Sequence, residues 1–336
     1  MSKKSDLKKA SLPVNPDGDK ATNVIREIMS ASFTRVILSI VLGFAIGAIF
    51  MILFNEDVVA TYETFFSNPG DTFMASLKVL ADGYGGLLKG AIFNPEGRDL
   101  VAMFRPITET FRLAAPLIMA GLGIALTFRV GLFNIGATGQ IVMGLAGATW
   151  ISTRVDLPYG IHMVVAVIVA IICAALWGAV VGLLKARTGA HEVIVTIMLN
   201  YVALNFFTWL LRTPELLLEA NGGGTPKSDP PADTAMLPTL FGDMYKIHIG
   251  IFFAVAAAFI YWLLMDRSAI GYRFKMVGHN MSAARAAGIK VESTFIWAMA
   301  VSAAFAGLAA ANQALSETGG ITTSINANIG FDAITV

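Results

Sequence analysis

The sequence predicts an all-α, polytopic transmembrane helical bundle of about seven spans. Three observations carry this. Of 336 residues, 56% are hydrophobic and only 14% are charged, against about 25% charged in ordinary soluble domains. Mean hydropathy is +0.68. Seven apolar runs each approach the ~20 residues a helix needs to cross about 30 Å of hydrocarbon, whereas barrel strands need only about ten alternating residues. The same composition excludes disorder, since apolar side chains are abundant and net charge is small. Nucleic-acid binding has no support, because 24 basic and 23 acidic residues leave a net charge of +1. The lone Cys173 forms no internal disulfide and sets no redox compartment.

The elements follow in order. Residues 1–34 form a polar, basic tail with Lys3, Lys4, Lys8, Lys9, Lys20 and Arg26. The apolar run 35–54 behind it is too long for a signal-peptide core and has no A-x-A-like site, so it is read as a retained first span. Gly43 and Gly47, like Gly178 and Gly182 further on, have the spacing of helix-packing faces. Segment 55–104 carries three basic residues against seven acidic ones and is placed outside. Within it, Phe73, Leu77, Leu80, Tyr84, Leu87 and Leu88 recur at helical spacing. They predict an amphipathic helix over 73–92, lying on the outer membrane face or receiving an external partner.

The remaining runs are 105–128, 132–152, 160–184, 192–211, 247–265 and 293–312. Arg129, Lys185, Arg187 and the five cations of loop 266–292 mark inside links. Segment 212–246, with a Gly-Pro-rich centre at 222–231, belongs outside. The N-terminus is therefore cytoplasmic, and residues 35–336 form one transmembrane domain. Run 132–152 is rich in glycine and polar residues, and also suits a broken or re-entrant helix.

Several chemistries have no motif. There is no Gly-Lys dipeptide, hence no phosphate-binding P-loop, and His191-Glu192 does not continue into H-E-x-x-H. No G-x-S-x-G occurs. No metal site is expected, since His162, His191, His248 and His279 lie far apart near span ends or in loops. Glu109 and Arg112 can pair at i,i+3, and Glu192 opens a span where a negative charge suits the helix N-terminus. No catalytic residue is assigned.

Apart from charges near the span ends, such as Glu109, Arg112 and Glu192, the polar residues inside the spans are almost all neutral. Asn134, Thr138 and Gln140 fall in Gly131–Gln140, and Thr196, Asn200 and Asn205 in run 192–211. Asn312-Gln313 closes the last span. A polar group in hydrocarbon needs a partner, so these residues either pack helix on helix or line a substrate path. Neutral amides and hydroxyls suit an uncharged polar solute such as a sugar or nucleoside. In loop 266–292, Asn280 or Ser282 can cap a short helix over 283–287 that Gly288 stops. Such a helix can insert into a groove of another protein or lie as a basic loop beside anionic lipid.

Five motifs, in order, resemble a known family. Phe133–Gln140, Gly189–Tyr201 and Gly278–Ile289 are similar to segments of ABC importer permeases of the branched-chain amino-acid and simple-sugar superfamily, in its nucleoside-uptake branch. Tyr84–Gly90 and Gly330–Val336 are similar as well, so the resemblance runs from about residue 84 to the end. It departs at Thr138, where the family usually has Glu, and at His191, where it usually has Asn.

The resemblance implies a permease subunit of a bacterial plasma-membrane importer, working by alternating access, with nucleosides as substrate. Ribose-like sugars or other small polar solutes are the alternative substrate. An ATP-independent secondary transporter is the alternative class. Implied partners are a second, often different, permease, a cytoplasmic ABC ATPase that holds ATP and Mg, and an external substrate-binding lipoprotein. No cofactor is expected in this chain. Gly278, Asn280, Ala283, Ala284, Arg285, Gly288 and Ile289 would form the ATPase-coupling loop. Segments 55–104 and 212–246 would receive the binding protein. The family continues past the apolar end at Val336 through about two further spans, so a truncated C-terminus is expected.

Overall fold

The computed structural model describes residues 32–219, 226–242, 244–316, 319–325 and 329–335. The basic tail up to residue 31, Gly222–Gly224 of the Gly-Pro-rich centre and the terminal Val336 lie outside the described residues. Every regular element among the described residues is helical. In order they are α1 (Ser32–Phe54), α2 (Glu56–Ala60), a 3-10 turn (Tyr62–Thr64), α3 (Pro69–Ala91), α4 (Leu100–Arg129), α5 (Ala137–Arg154), α6 (Ile161–Thr188), α7 (Glu192–Arg212), α8 (Gly250–Arg267), α9 (Ala269–His279), α10 (Met281–Ala286), α11 (Val291–Ala314) and α12 (Ile329–Thr335). All seven expected runs are helices. Six of them (α1, α4, α6, α7, α8 and α11) are long and apolar enough to cross a membrane.

The chain divides into two compact units between Gly90 and Ala91. In the first, α1 is apolar all round, and none of its span Val36–Phe54 is buried by protein, as expected of a helix whose neighbour is lipid. The predicted amphipathic stretch 73–92 falls in α3. The Tyr84 hydroxyl of α3 donates to the Phe44 carbonyl, and the two rings meet edge to face at 5.1 Å. Gly47 leaves room for that hydroxyl, since a Cβ there would lie 3.3 Å from it. Gly43 faces open space.

The second unit is built around α11, which packs on α4, α5 and α6. The α6–α11 seam is made of small residues. A Cβ on Gly178 would lie 2.5 Å from the Met299 carbonyl oxygen, one on Gly182 2.6 Å from Ile296 Cα, and one on Gly307 2.7 Å from the Ala170 carbonyl oxygen. Without a hydrophobic drive between helices in lipid, such close backbone approach supplies the packing energy. The expected packing role of Gly178 and Gly182 is met.

Helix α5 is the reason six helices, rather than seven, are apolar enough to span. It is wrapped by α6, α7 and α11, and most of its residues are buried. A helix largely shielded from lipid need not be hydrophobic. It nevertheless runs the length of the unit. Its leader, Val130–Gly136, lies beside Gly278, and its far end reaches Leu216 and Leu218 through Arg154 (3.0 and 2.8 Å). This traverse separates two ends. One holds Arg129, Lys185 and 266–292. The other holds 154–161, 213–219, 226–242, 244–249, 315–316 and 319–321.

Candidate functional site

The chain breaks between α4 and α5, and that break organises the polar residues. Gly131 turns the backbone at φ +77°, a left-handed conformation that costs glycine little. Residues 132–135 belong to no helix, so their backbone groups need partners from elsewhere. Asn134 supplies one and holds others: its Oδ1 accepts from Gly136 N (2.9 Å). Its Nδ2 donates to Gln140 Oε1 (3.2 Å) and Ser302 Oγ (3.1 Å), and Gln140 Nε2 donates back to Asn134 Oδ1 (3.3 Å). From α7, Asn200 bridges the break: its Oδ1 accepts from Gly139 N (2.8 Å) and its Nδ2 donates to Ile135 O (2.9 Å). Thr196, one turn earlier, fills the space beside Gly136, where a Cβ would lie 3.0 Å from Thr196 Cβ.

Thus Asn134, Gln140, Thr196 and Asn200 are brought together and buried. Thr138 joins them on the first turn of α5, pressed by Gly330 of α12, where a Cβ would come within 2.3 Å of both Thr138 N and Oγ1. Asn205 is elsewhere. It is exposed and donates to Tyr201 O of its own helix (2.8 Å).

The predicted loop helix is α10. Asn280, not Ser282, is its cap, with Oδ1 accepting from Ser282 N (2.9 Å) and Ala283 N (3.0 Å). Gly288 follows the helix at φ +81°. Gly278 sits against the end of α4, where a Cβ would be 2.1 Å from Arg129 O, so loop and broken crossing share one contact. Met281, Ala283 and Arg285 are exposed, whereas Ala284 is fully buried. Ile289 is half-buried, and its N–H bonds Ala284 O (3.0 Å). Gly131, Lys185, Gly278, Arg285 and Glu292 line a cleft of about 380 Å³.

The profile of the family described as branched-chain amino acid transport system / permease component matches residues 107–336. The chain belongs to this permease family. Among curated relatives, it is 33% identical to a guanosine ABC transporter permease protein of Bacillus subtilis, over 89% of this chain and 77% of that one. It is 30% identical to a nucleoside ABC transporter permease protein of Lactococcus lactis, over 81% and 68%. It is 27% identical to a glucose ABC transporter permease protein of Haloferax volcanii, over 89% and 72%. No solved structure matches significantly.

The permease carries a second polar group at the end opposite α10. Glu109 accepts from Arg112 (2.7 Å) and lies 3.9 Å from Lys246 Nζ, the expected i,i+3 pair with one addition. In the loop before α8, His248 Nδ1 accepts from Gly250 N (3.1 Å), which leaves the proton of the neutral ring on Nε2. Burial holds this imidazole down at about 4, and the charge of Arg112 adds to the effect. Asn312 Nδ2 of α11 is adjacent: it and His248 Nδ1 lie 2.1 and 2.6 Å from where a Gly250 Cβ would stand. Glu192 takes a Lys185 ion pair at 2.6 Å, a partner that its place in a first helical turn did not reveal.

Sequence reasoning missed Ser302, which reaches Asn134 across 168 positions and leaves no local signal. It also missed the meeting of α5 and α12. That contact, Gly330 against Thr138, joins residues 192 positions apart and also leaves no local signal. No cluster of possible metal ligands occurs among the described residues.

Proposed function

We propose that this permease forms the membrane path of an ATP-binding-cassette importer for nucleosides. The carrying observation is its likeness to guanosine and nucleoside permeases over most of the chain. The interior supports it. Asn134, Gln140 and Asn200 are neutral amides, suited to an uncharged polar solute that needs hydrogen bonds and no countercharge.

The end bearing α10 faces the cytoplasm, because Arg129, Lys185, Arg187 and the cations of 266–292 gather there. The N-terminus lies on that side too. Gly278 to Ile289 then meet a separate ATPase, which binds ATP and Mg and does the hydrolysis. This chain is non-catalytic and holds no cofactor. A second permease completes the path, and an external lipoprotein delivers solute to the opposite face. Closure of the ATPases pushes α10, and the contact of Gly278 with Arg129 passes the movement to the break at Gly131.

A test is uptake competition in a strain lacking the native permease, with nucleosides, free bases and pentoses as competitors. Nucleosides should compete best. Competition by pentoses alone would favour the sugar reading, which the likeness to a glucose permease supports. Uptake that survives ATP depletion would sink both.

A further inference from the structure

The groove between α8, α9 and α11 has a volume of about 720 Å³ and an apolar wall of Leu264, Phe274, Trp297 and Val301. Lys290, Thr294, Trp297 and Val301 recur at i, i+4, i+7 and i+11, so they form one stripe along α11. At 1.5 Å per residue the stripe is ~16 Å long, about half of the ~30 Å hydrocarbon core and thus the depth of a single leaflet. Its polar end lies where α8 and α11 leave the bundle, at Arg273 and Lys290.

These two cations differ from their neighbours. Lys275 is held by Asp266 (2.6 Å) and Arg285 by Glu292 (2.7 Å), while Arg267 lies over the Trp262 ring at 5.2 Å. Among the described residues, Arg273 and Lys290 have no ion pair and no side-chain hydrogen bond, and both are exposed. Trp297 is 63% exposed beside them. An amphiphile with an anionic head and a chain about one leaflet deep satisfies both parts at once. A free phosphate would leave the apolar wall uncovered, and a neutral lipid would leave both cations without a countercharge.

We propose that this groove holds an anionic phospholipid, one acyl chain along the α11 stripe and the phosphate on Arg273 and Lys290. The site needs the bundle to sit in a membrane and needs no particular transported solute. It adjoins Gly288 and Ile289, so an occupied groove would steady the loop that carries α10.

The test uses the assembled importer in phosphatidylcholine nanodiscs, doped with either brominated phosphatidylglycerol or brominated phosphatidylcholine. Tryptophan quenching is compared with that of the Trp297→Phe importer, so that the difference isolates Trp297. Half-quenching should need about thirtyfold less of the glycerol lipid, the scale expected of two interfacial cations at about 1 kcal/mol each. Arg273→Gln with Lys290→Gln should abolish that preference, while Arg273→Lys with Lys290→Arg should keep it and show that the groove remains folded. Equal quenching by both lipids means ordinary annular contact and overturns the site. So does a preference that survives the glutamine pair. Relief of quenching by inorganic phosphate would assign a soluble anion instead. Protection of Trp297 from both lipids in the assembled importer, but not in the isolated permease, would assign the groove to a partner subunit.

Discussion

At the scale of single residues, the intramembrane amides have unequal jobs. Asn200 serves two backbone groups of the broken segment, and Asn200→Leu would leave both buried without a partner. Each such loss costs about 1–3 kcal/mol, so the purified complex should melt at a clearly lower temperature. An unchanged midpoint would show that the bridge does not hold the break. Asn205 bonds only its own helix, so Asn205→Leu should change stability by no more than about 0.5 kcal/mol. Any loss of uptake in that variant therefore reports on the path itself. His248 gives a pH dependence. Its folded value of about 4 lies below the ~6.5 of an unperturbed ring. The unfolded chain then binds the extra proton first, so the His248 contribution is complete above about pH 6.5 and is lost as pH falls toward 4. His248→Asn keeps a side-chain acceptor for Gly250 N and removes the titration. Its melting temperature should vary less than the parent's between pH 7 and 4.5, and parallel curves would exclude His248 as the source.

Elements meet where glycine lets them. Gly330→Ala would drive a methyl into Thr138 N, and Gly278→Ala one into Arg129 O. Both neighbours include backbone, which cannot yield like a flexible side chain, so both variants should assemble poorly or transport slowly. Normal assembly and normal uptake in either would show that the facing elements separate freely. Helix α10 has an inner and an outer face. Ala284 is buried, so a charge there would disturb the loop itself. Ala283 is exposed, and Ala283→Asp tests the coupling surface more cleanly. Solute-stimulated ATP hydrolysis by the assembled complex should fall while the permease remains folded. Unimpaired stimulation would remove this face from the interface.

At the scale of the whole molecule, the second unit is a bundle with two chemically distinct ends. An impermeant maleimide should label Ser282→Cys, in a Cys173→Ala background, in inverted membrane vesicles stripped of the ATPase and not in intact cells. Labelling from outside the cell would reverse the assigned orientation. Much of this architecture was legible in the sequence. The seven runs became seven helices, and Gly178 and Gly182 became a packed seam, because hydrophobic length and small-residue spacing are local properties that lipid enforces directly. Run 132–152 was legible as unusual. Its course was not, because whether a polar helix is tolerated depends on what surrounds it. Here α6, α7 and α11 do so.

By itself, then, the sequence determined the fold class, the positions of the spans and the sorting of basic loops, since each follows from the cost of placing charge or free backbone groups in hydrocarbon. Only the tertiary structure decided which polar residues share a site. Asn134 meets Ser302, Asn200 spans the break and Gly330 closes on Thr138, while Asn205 turns away. Those pairings join residues far apart in the chain, and helical periodicity carries no record of which helices face each other.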